Sequence, residues 1–357
     1  MPETPTPHDP DDAPIVPHDA HDTVRPAGKW DGPTYYGRSQ LKAAPFENWV
    51  VGGYIFLAGL SGASALISAV VDTTRGRSAA ATVRRGRYLS LLAPTIGSVL
   101  LVWDLHSPKR FYNMLRIAKR TSPMSIGTWI LMAFTGFSAV SAAGQFASDR
   151  TPRFKWLRRA AGVAQVPAAV AGAGLSTYTA SLLSATSTPL WAAAPQALAV
   201  RFGSSSVAAG ASALSLSEAS GVTRRALDTI TLAALAVELA ATVVSHRTYR
   251  QKDVAEALDG AWGRVEGQGA TGLGVMLPLG LHAASLTLAR RPGAVSSLAS
   301  LAVLAGSLML RVSIMAAGDE SASRPDISFQ FAQPKNLPRH NTAKRLRGGP
   351  GFFVRPS

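Results

Sequence analysis

No cysteine occurs among the 357 residues. Thiolate-held zinc, iron–sulfur clusters ligated by this chain, disulfides and thiol catalysis are therefore excluded. Charge is scarce as well: Asp, Glu, Lys and Arg make up 16% of the chain, against about 25% in ordinary soluble domains. The charges are also segregated, with none in 49–71, 88–103, 125–148, 160–200, 202–217, 267–289 or 294–310. Seven such windows are hard to reconcile with a fold in water, where even large helical proteins keep charged residues at the surface of every helix. Also missing are a phosphate-cradling glycine loop, a nucleophile elbow and a cluster of metal-ligand residues, so nothing here looks like a self-contained catalyst.

What is there is apolar length. A membrane helix needs about 20 mostly apolar residues. The 160–200 window is too long for one helix, and Pro189 and Pro195 around Trp191 supply a turn that splits it. An eighth block, 226–246, carries Asp228 near its start and Glu238 inside. The expectation is an all-α, polytopic integral membrane protein, a bundle of eight transmembrane helices at about 49–72, 88–104, 125–147, 160–184, 195–217, 226–246, 270–289 and 294–314. The modest mean hydropathy of +0.14 averages these spans with two polar tails. The spans are rich in Ala, Gly and Ser, residues that let membrane helices approach closely.

Three regions follow: an N-terminal tail 1–48, a membrane domain 49–315 and a C-terminal tail 316–357. Residues 1–48 hold nine prolines and eight acidic side chains without an apolar run, which reads as a disordered tail and not a cleavable signal. Its His-Asp pairs at 8–9, 18–19 and 21–22 are read as solvated rather than metal-binding. The short loops 73–87, 148–159, 218–225 and 290–293 carry 14 Lys and Arg. Short loops weigh most in the positive-inside rule, so these are expected in the cytoplasm of a multi-pass plasma-membrane protein, with the termini and the 104–124 connector outside. The formal net charge of +15 then belongs to lipid-facing loops and tails, with no nucleic-acid partner.

The connector alternates Arg and Lys with Phe, Tyr, Met, Leu and Ile, so it should lie along the interface. Ionisable groups at membrane depth cost about 2.5–3.5 kcal/mol each near a helix centre, which makes every one a candidate for function. Asp104 closes the second span just before Lys109 and Arg110, as part of a polar headgroup site or as a helix-end ion pair. Arg110, Asn113 and Arg116 share one side of a short helix, to bind a ligand or to anchor the interface. Tyr178, late in the fourth span, can hydrogen-bond a carbonyl ligand or a neighbouring helix. Span counting brings Glu47, Asn48, Asp104, the connector and Tyr178 to one face of the membrane. Glu238 is either a proton carrier or a buried helix–helix hydrogen bond. Arg201 and Arg311 are expected to snorkel from span ends. His246, read at the cytoplasmic end of its span, and His282, well inside the next, lie at different levels, so no haem is expected between them.

The connector resembles the NrfD/polysulfide reductase membrane-subunit (PsrC-like) family. Its members carry D-L-G-R-P-x-R-F-x-N-M-L-R and then T-S-P-M-S-x-G-S-W. The matching residues are Asp104, Leu105, Pro108, Arg110, Phe111, Asn113, Met114, Leu115 and Arg116, then Thr121 to Ser125, Gly127 and Trp129. His106-Ser107 replaces the family's Gly-Arg. TYYGR at 34–38, YIFLAGLSGAS at 54–64 and YTASLLSATSTPLW at 178–191 extend the match to roughly residues 34–325.

The resemblance implies an eight-helix anchor without haem. It would exchange electrons between a membrane quinone, menaquinone or ubiquinone, and a four-cluster, ferredoxin-like iron–sulfur subunit. That subunit in turn serves a catalytic subunit such as a molybdopterin enzyme. The quinone would lie near the partner's docking face, with Tyr178, Asn48, Asp104, Arg110, Asn113 and Arg116 as the matching cofactor-binding candidates. Some members follow the first-span Asn with a His four residues later; here that position is Gly52. Two rival readings are a structural anchor without quinone chemistry and an ion or proton translocator built round Glu238 and Asp104.

Overall fold

The computed structural model describes residues 41–336 apart from 45–46, 105–110, 117, 152, 288–291 and 334. Most of both tails, the TYYGR run, Arg110 and the Leu105–Lys109 stretch lie outside the described residues.

The chain runs through α1 (Asn48–Arg75), a 3-10 turn (Gly76–Ala79), α2 (Ala80–Asp104), α3 (Tyr112–Arg116), α4 (Pro123–Arg150) and α5 (Lys155–Ser184). After α6 (Pro189–Ala193) come α7 (Pro195–Leu216), α8 (Gly221–Gln251), a 3-10 turn (Ala255–Leu258) and α9 (Ala261–Arg264). A π-helical stretch (Val265–Met276) leads into α10 (Leu277–Thr287), α11 (Pro292–Ser323) and α12 (Pro325–Phe331). Local chemistry sets several boundaries. Ser122 caps α4, its hydroxyl accepting from the Ser125 N–H, and Pro123 supplies a preset φ in the first turn. Ser220 caps α8 in the same way through the Thr223 N–H. The expected break in the long charge-free window falls at Pro189 and Pro195, with the five-residue α6 between them.

Among the described residues, seven helices are long and apolar enough to cross a membrane: α1, α2, α4, α5, α8, the continuous Ala261–Thr287 coil and α11. They match seven of the eight expected spans, extended by one or two turns because charged residues at the ends continue the helix into the loops. The remaining expected span is α7, 22 residues long. Its five serines and Arg201 offset its apolar residues. They are tolerated because α7 packs against α1, α5, α8 and α11 and leaves little surface for lipid.

The outer faces are those of a membrane protein. On α2, Leu92, Ile96, Val99 and Trp103 recur at helical spacing and stay exposed, Trp103 at 80%. Val163, Val166 and Val170 do the same on α5. Unpartnered apolar stripes of this length need lipid, not water. Inside, many buried serines satisfy their hydroxyls on carbonyls one turn back, as Ser64 does on Leu60 at 2.7 Å and Ser206 on Phe202 at 2.7 Å. One end of the bundle, the connector end, gathers the connector, α6, α12 and the start of α1. The other, the short-loop end, gathers the short loops.

Candidate functional site

At the connector end the last residue of α2 meets the first turn of α1. The Asp104 carboxylate accepts the Glu47 N–H at 3.3 Å, a donor that α1 leaves unpaired at its start. One side-chain layer deeper, half-buried Tyr54 lies within electrostatic range of both Asp104 and Tyr178.

Tyr178 reaches from α5 to the start of α4. Its hydroxyl donates to the Pro123 carbonyl at 2.6 Å and lies close to the Gly127 backbone. The phenol ring covers Gly127 so closely that a methyl there would overlap it. The glycine of the T-S-P-M-S-x-G run is thus explained: it makes the floor on which Tyr178 rests. Asn48 lies beside Asp319 of α11, which accepts the Ala44 N–H at 3.3 Å. The Asn48 side-chain oxygen is buried and has no hydrogen-bond partner. An orphaned buried acceptor is costly in a dry interior.

Of the six sequence candidates, Arg110 lies outside the described residues, and the other five fall into two groups. Asn48, Asp104 and Tyr178 gather at one end, linked through Glu47 and Tyr54. Asn113 and Arg116 lie exposed on α3, and among the described residues no hydrogen bond or ion pair joins them to that group. The connector is tied down instead by the Lys119 N–H on the Ser125 hydroxyl at 2.9 Å. Gly52 lines no site: a Cβ there would lie 2.6 Å from the Val312 side chain and 2.9 Å from its backbone, so no side chain fits.

Two site residues escape a reading of the sequence. Tyr54 opens the YIFLAGLSGAS run, where a lone tyrosine in an apolar stretch gives no signal of its own. Asp319 falls in what reads as tail, yet α11 continues to Ser323 and carries it back over Asn48.

The second half of the bundle corrects three expectations. Arg201 and Arg311 do not snorkel; each is only 1% exposed. Arg201 forms an ion pair with Glu266, presented by the π-helical stretch. Arg311 donates to the hydroxyls of Ser205 and Ser307 and, through its other terminal nitrogen, to Ser206 and the Phe202 carbonyl. Several donors satisfied at once make its burial tolerable. His246 lies at the connector end, since α8 starts in a short loop and must finish opposite; its ring nitrogen meets Glu266 at 3.2 Å. His282 sits towards the short-loop end, 3.9 Å from Asp228, so the two imidazoles cannot flank one haem.

At the short-loop end, Glu218 joins two helices by accepting the Thr82 hydroxyl, with Arg85 at 3.6 Å and the Ser220 N–H at 2.9 Å. Burial pushes its carboxyl up, but these hydrogen bonds and Arg85 outweigh it and hold it below the ordinary carboxylate value.

Among the described residues no group of three or more His, Cys, Asp or Glu is placed to hold a metal. The family model described as "Polysulphide reductase, NrfD" matches residues 42–320. The protein is also similar to the C subunit of polysulfide reductase from Wolinella succinogenes, at 26% identity over 151 residues. That match covers 39% of this chain and 47% of the relative, so the similarity spans less than half of the curated protein.

Proposed function

The chain belongs to the NrfD polysulphide reductase family, and from that premise we infer that this multi-pass membrane protein is the membrane subunit of an oxidoreductase complex. It binds a quinone at the connector end of α1, α2 and α5 and exchanges electrons with an iron–sulfur partner seated over that end. A bound quinol supplies two electrons and two protons there. The observation that carries the reading is the orphaned Asn48 oxygen, a buried acceptor suited to a quinol hydroxyl. Asp319 stands beside the same amide and can hold its nitrogen, which leaves that oxygen to a ligand. Tyr178 holds its proton on the Pro123 carbonyl and can turn it to a ligand carbonyl in exchange. Asp104, at the membrane boundary, keeps the start of α1 against the end of α2 and presents a carboxylate that can take up a released proton. Because electron transfer needs short gaps, the partner's clusters must lie directly above this end.

The test is quinone retention and quinol oxidation by the purified complex. Asn48→Leu is expected to lose bound quinone, and Tyr178→Phe to slow quinol oxidation. Wild-type turnover in both substitutions sinks the reading.

A structural anchor without quinone chemistry is the second reading, favoured by the Tyr178 hydroxyl being already satisfied within the chain. It requires complex assembly to depend on this subunit while turnover ignores quinone-site inhibitors and the Asn48 and Tyr178 substitutions alike.

A further inference from the structure

A recess of about 840 Å³ opens at the short-loop end of the first half. It lies between the end of α1, the start of α2 and the facing turns of α4 and α5. Its charged and amide lining is Asp72, Arg84, Arg87, Gln145, Asp149 and Arg158. Ligand sites have volumes of this order. The quinone reading makes no use of it, since that site is at the opposite end of the bundle.

Three guanidiniums meet here, and the chain does not satisfy them. Arg87 is the buried one, 5% exposed. It donates from Nε to Gln165 at 2.7 Å, from Nη1 to Gln145 at 2.6 Å and from Nη2 to Asp72 at 3.0 Å. A guanidinium has five N–H donors, so two are left over. Gly162 of α5 leaves them uncovered: even a Cβ there would come no closer than 3.9 Å to Nη2. Beside Arg87 the Gln165 amide nitrogen is buried without an acceptor. Arg158 stands within electrostatic range of Arg87, and among the described residues it forms neither an ion pair nor a hydrogen bond. Like charges held together at the edge of a low-dielectric region repel unless an anion lies between them. Arg84, one turn before Arg87, is half-exposed and only 3.8 Å from its nearest acid, Asp149. The two carboxylates do not fill the need. Both Asp149 oxygens are occupied, one by Gln145 at 2.8 Å and one by the Tyr88 hydroxyl at 3.1 Å, and Asp72 is turned to Arg87.

We infer that this recess binds a phosphate group, presented by an anionic phospholipid of the leaflet at the short-loop end. A phosphate has the oxygens to accept from several guanidiniums at once, in the paired geometry that arginine favours. The surroundings select a lipid as its carrier. The charge-free window 88–103 begins one residue after Arg87, so the recess sits at the boundary where headgroups lie. Exposed apolar stripes run inward from it. On α5 the stripe of Val163, Val166 and Val170 starts next to Gly162, and on α2 the stripe starts at Leu92, five residues after Arg87. A lipid whose phosphate rests on Arg87 and Arg158 can lay its acyl chains along those stripes, which a free phosphate would leave bare. Basic pockets between membrane helices hold anionic headgroups on the same principle. The inference goes beyond the quinone reading and does not rest on it.

The test is native mass spectrometry of the full chain, purified in a neutral detergent and offered phosphatidylglycerol, phosphatidylcholine or inorganic phosphate. The protein is expected to retain phosphatidylglycerol in preference to phosphatidylcholine, whose choline cancels the phosphate charge, and inorganic phosphate should not displace it. Arg84→Gln combined with Arg158→Gln should weaken that retention by roughly tenfold. Arg84→Lys with Arg158→Lys should keep part of it. Arg225→Gln, which removes an exposed cation at the same end but outside the recess, should not change it. Arg84 and Arg158 are both exposed, so the double Gln variant should unfold in detergent alone at the wild-type temperature. Added phosphatidylglycerol should then raise the unfolding temperature of the wild type and not that of the variant. The inference is overturned if phosphatidylcholine is retained equally well, if the double Gln variant binds or is stabilised like the wild type, or if Arg225→Gln loses as much. Inorganic phosphate that binds and expels the lipid would overturn the lipid as the source of the phosphate.

Discussion

The first four spans keep their ionisable groups near the ends. Glu47 and Asp104 stand at the connector end, and Asp72, Arg87 and Asp149 at the short-loop end, where Arg87 ties Asp72 at 3.0 Å to Gln145 and Gln165. The second half places Arg201, Glu238 and Arg311 in its interior instead. A charge near a span end can draw on water; one in the interior must be matched by another charge or by several donors. The two halves therefore fail differently. Changes in the first half should alter ligand chemistry while the fold survives, and changes in the second half should strike the fold itself.

The largest expected effect breaks that contrast at Arg201. Arg201→Met leaves Glu266 buried without its partner, at a cost of about 3–5 kcal/mol. Thermal unfolding in detergent should show a severe loss for Arg201→Met. Arg201→Met combined with Glu266→Met, which removes both charges, should recover most of it. If the double substitution is no better than the single one, the pair is not an isolated buried unit.

Gly127→Ala sharpens the contrast from the first half. The new methyl overlaps the Tyr178 ring, and overpacking of this kind costs about 1–3 kcal/mol. The ring has a way out towards the membrane boundary, so the fold should survive while the Tyr178–Pro123 hydrogen bond is lost. Quinol oxidation should fall as in Tyr178→Phe, with complex assembly intact. Full activity in Gly127→Ala would mean that Tyr178 can leave its floor without consequence.

The same contrast decides what is legible in the sequence. Helix number and order can be read because the charge-free windows mark them directly, and Pro189 and Pro195 mark the one break inside a window. Asn48, Asp104 and Tyr178 can be read because span counting assigns each to an end, and ends converge whatever the side chains do. Tyr54 cannot, since nothing in an apolar run distinguishes a tyrosine facing a site from one facing lipid. Arg201 misleads for a related reason. A lone arginine in an apolar window looks like a snorkelling side chain until its partner is known, and Glu266 lies 65 residues away on a coil whose π-helical register sequence periodicity does not announce. Charges in the interior depend on long-range pairing, and that is what a linear reading cannot supply.

The smallest effect belongs to the short-loop end, where a charge is buried next to water. Glu218 links the α7–α8 turn to α2 through Thr82 and Arg85. Its carboxyl is held below its ordinary value of 4.5, so the folded state binds a proton there less readily than the unfolded chain does. The stability it confers is complete above that ordinary value and drains away as pH falls through the lower folded value. Glu218→Gln should therefore cost about 1 kcal/mol at neutral pH, and the gap between wild type and variant should close as the pH is lowered past that range. Unfolding followed across pH in detergent measures both curves. A gap that stays constant down to strongly acidic pH would place the contribution of Glu218 in its packing rather than its charge, and would remove the distinction between a boundary carboxylate and the interior pair at Arg201.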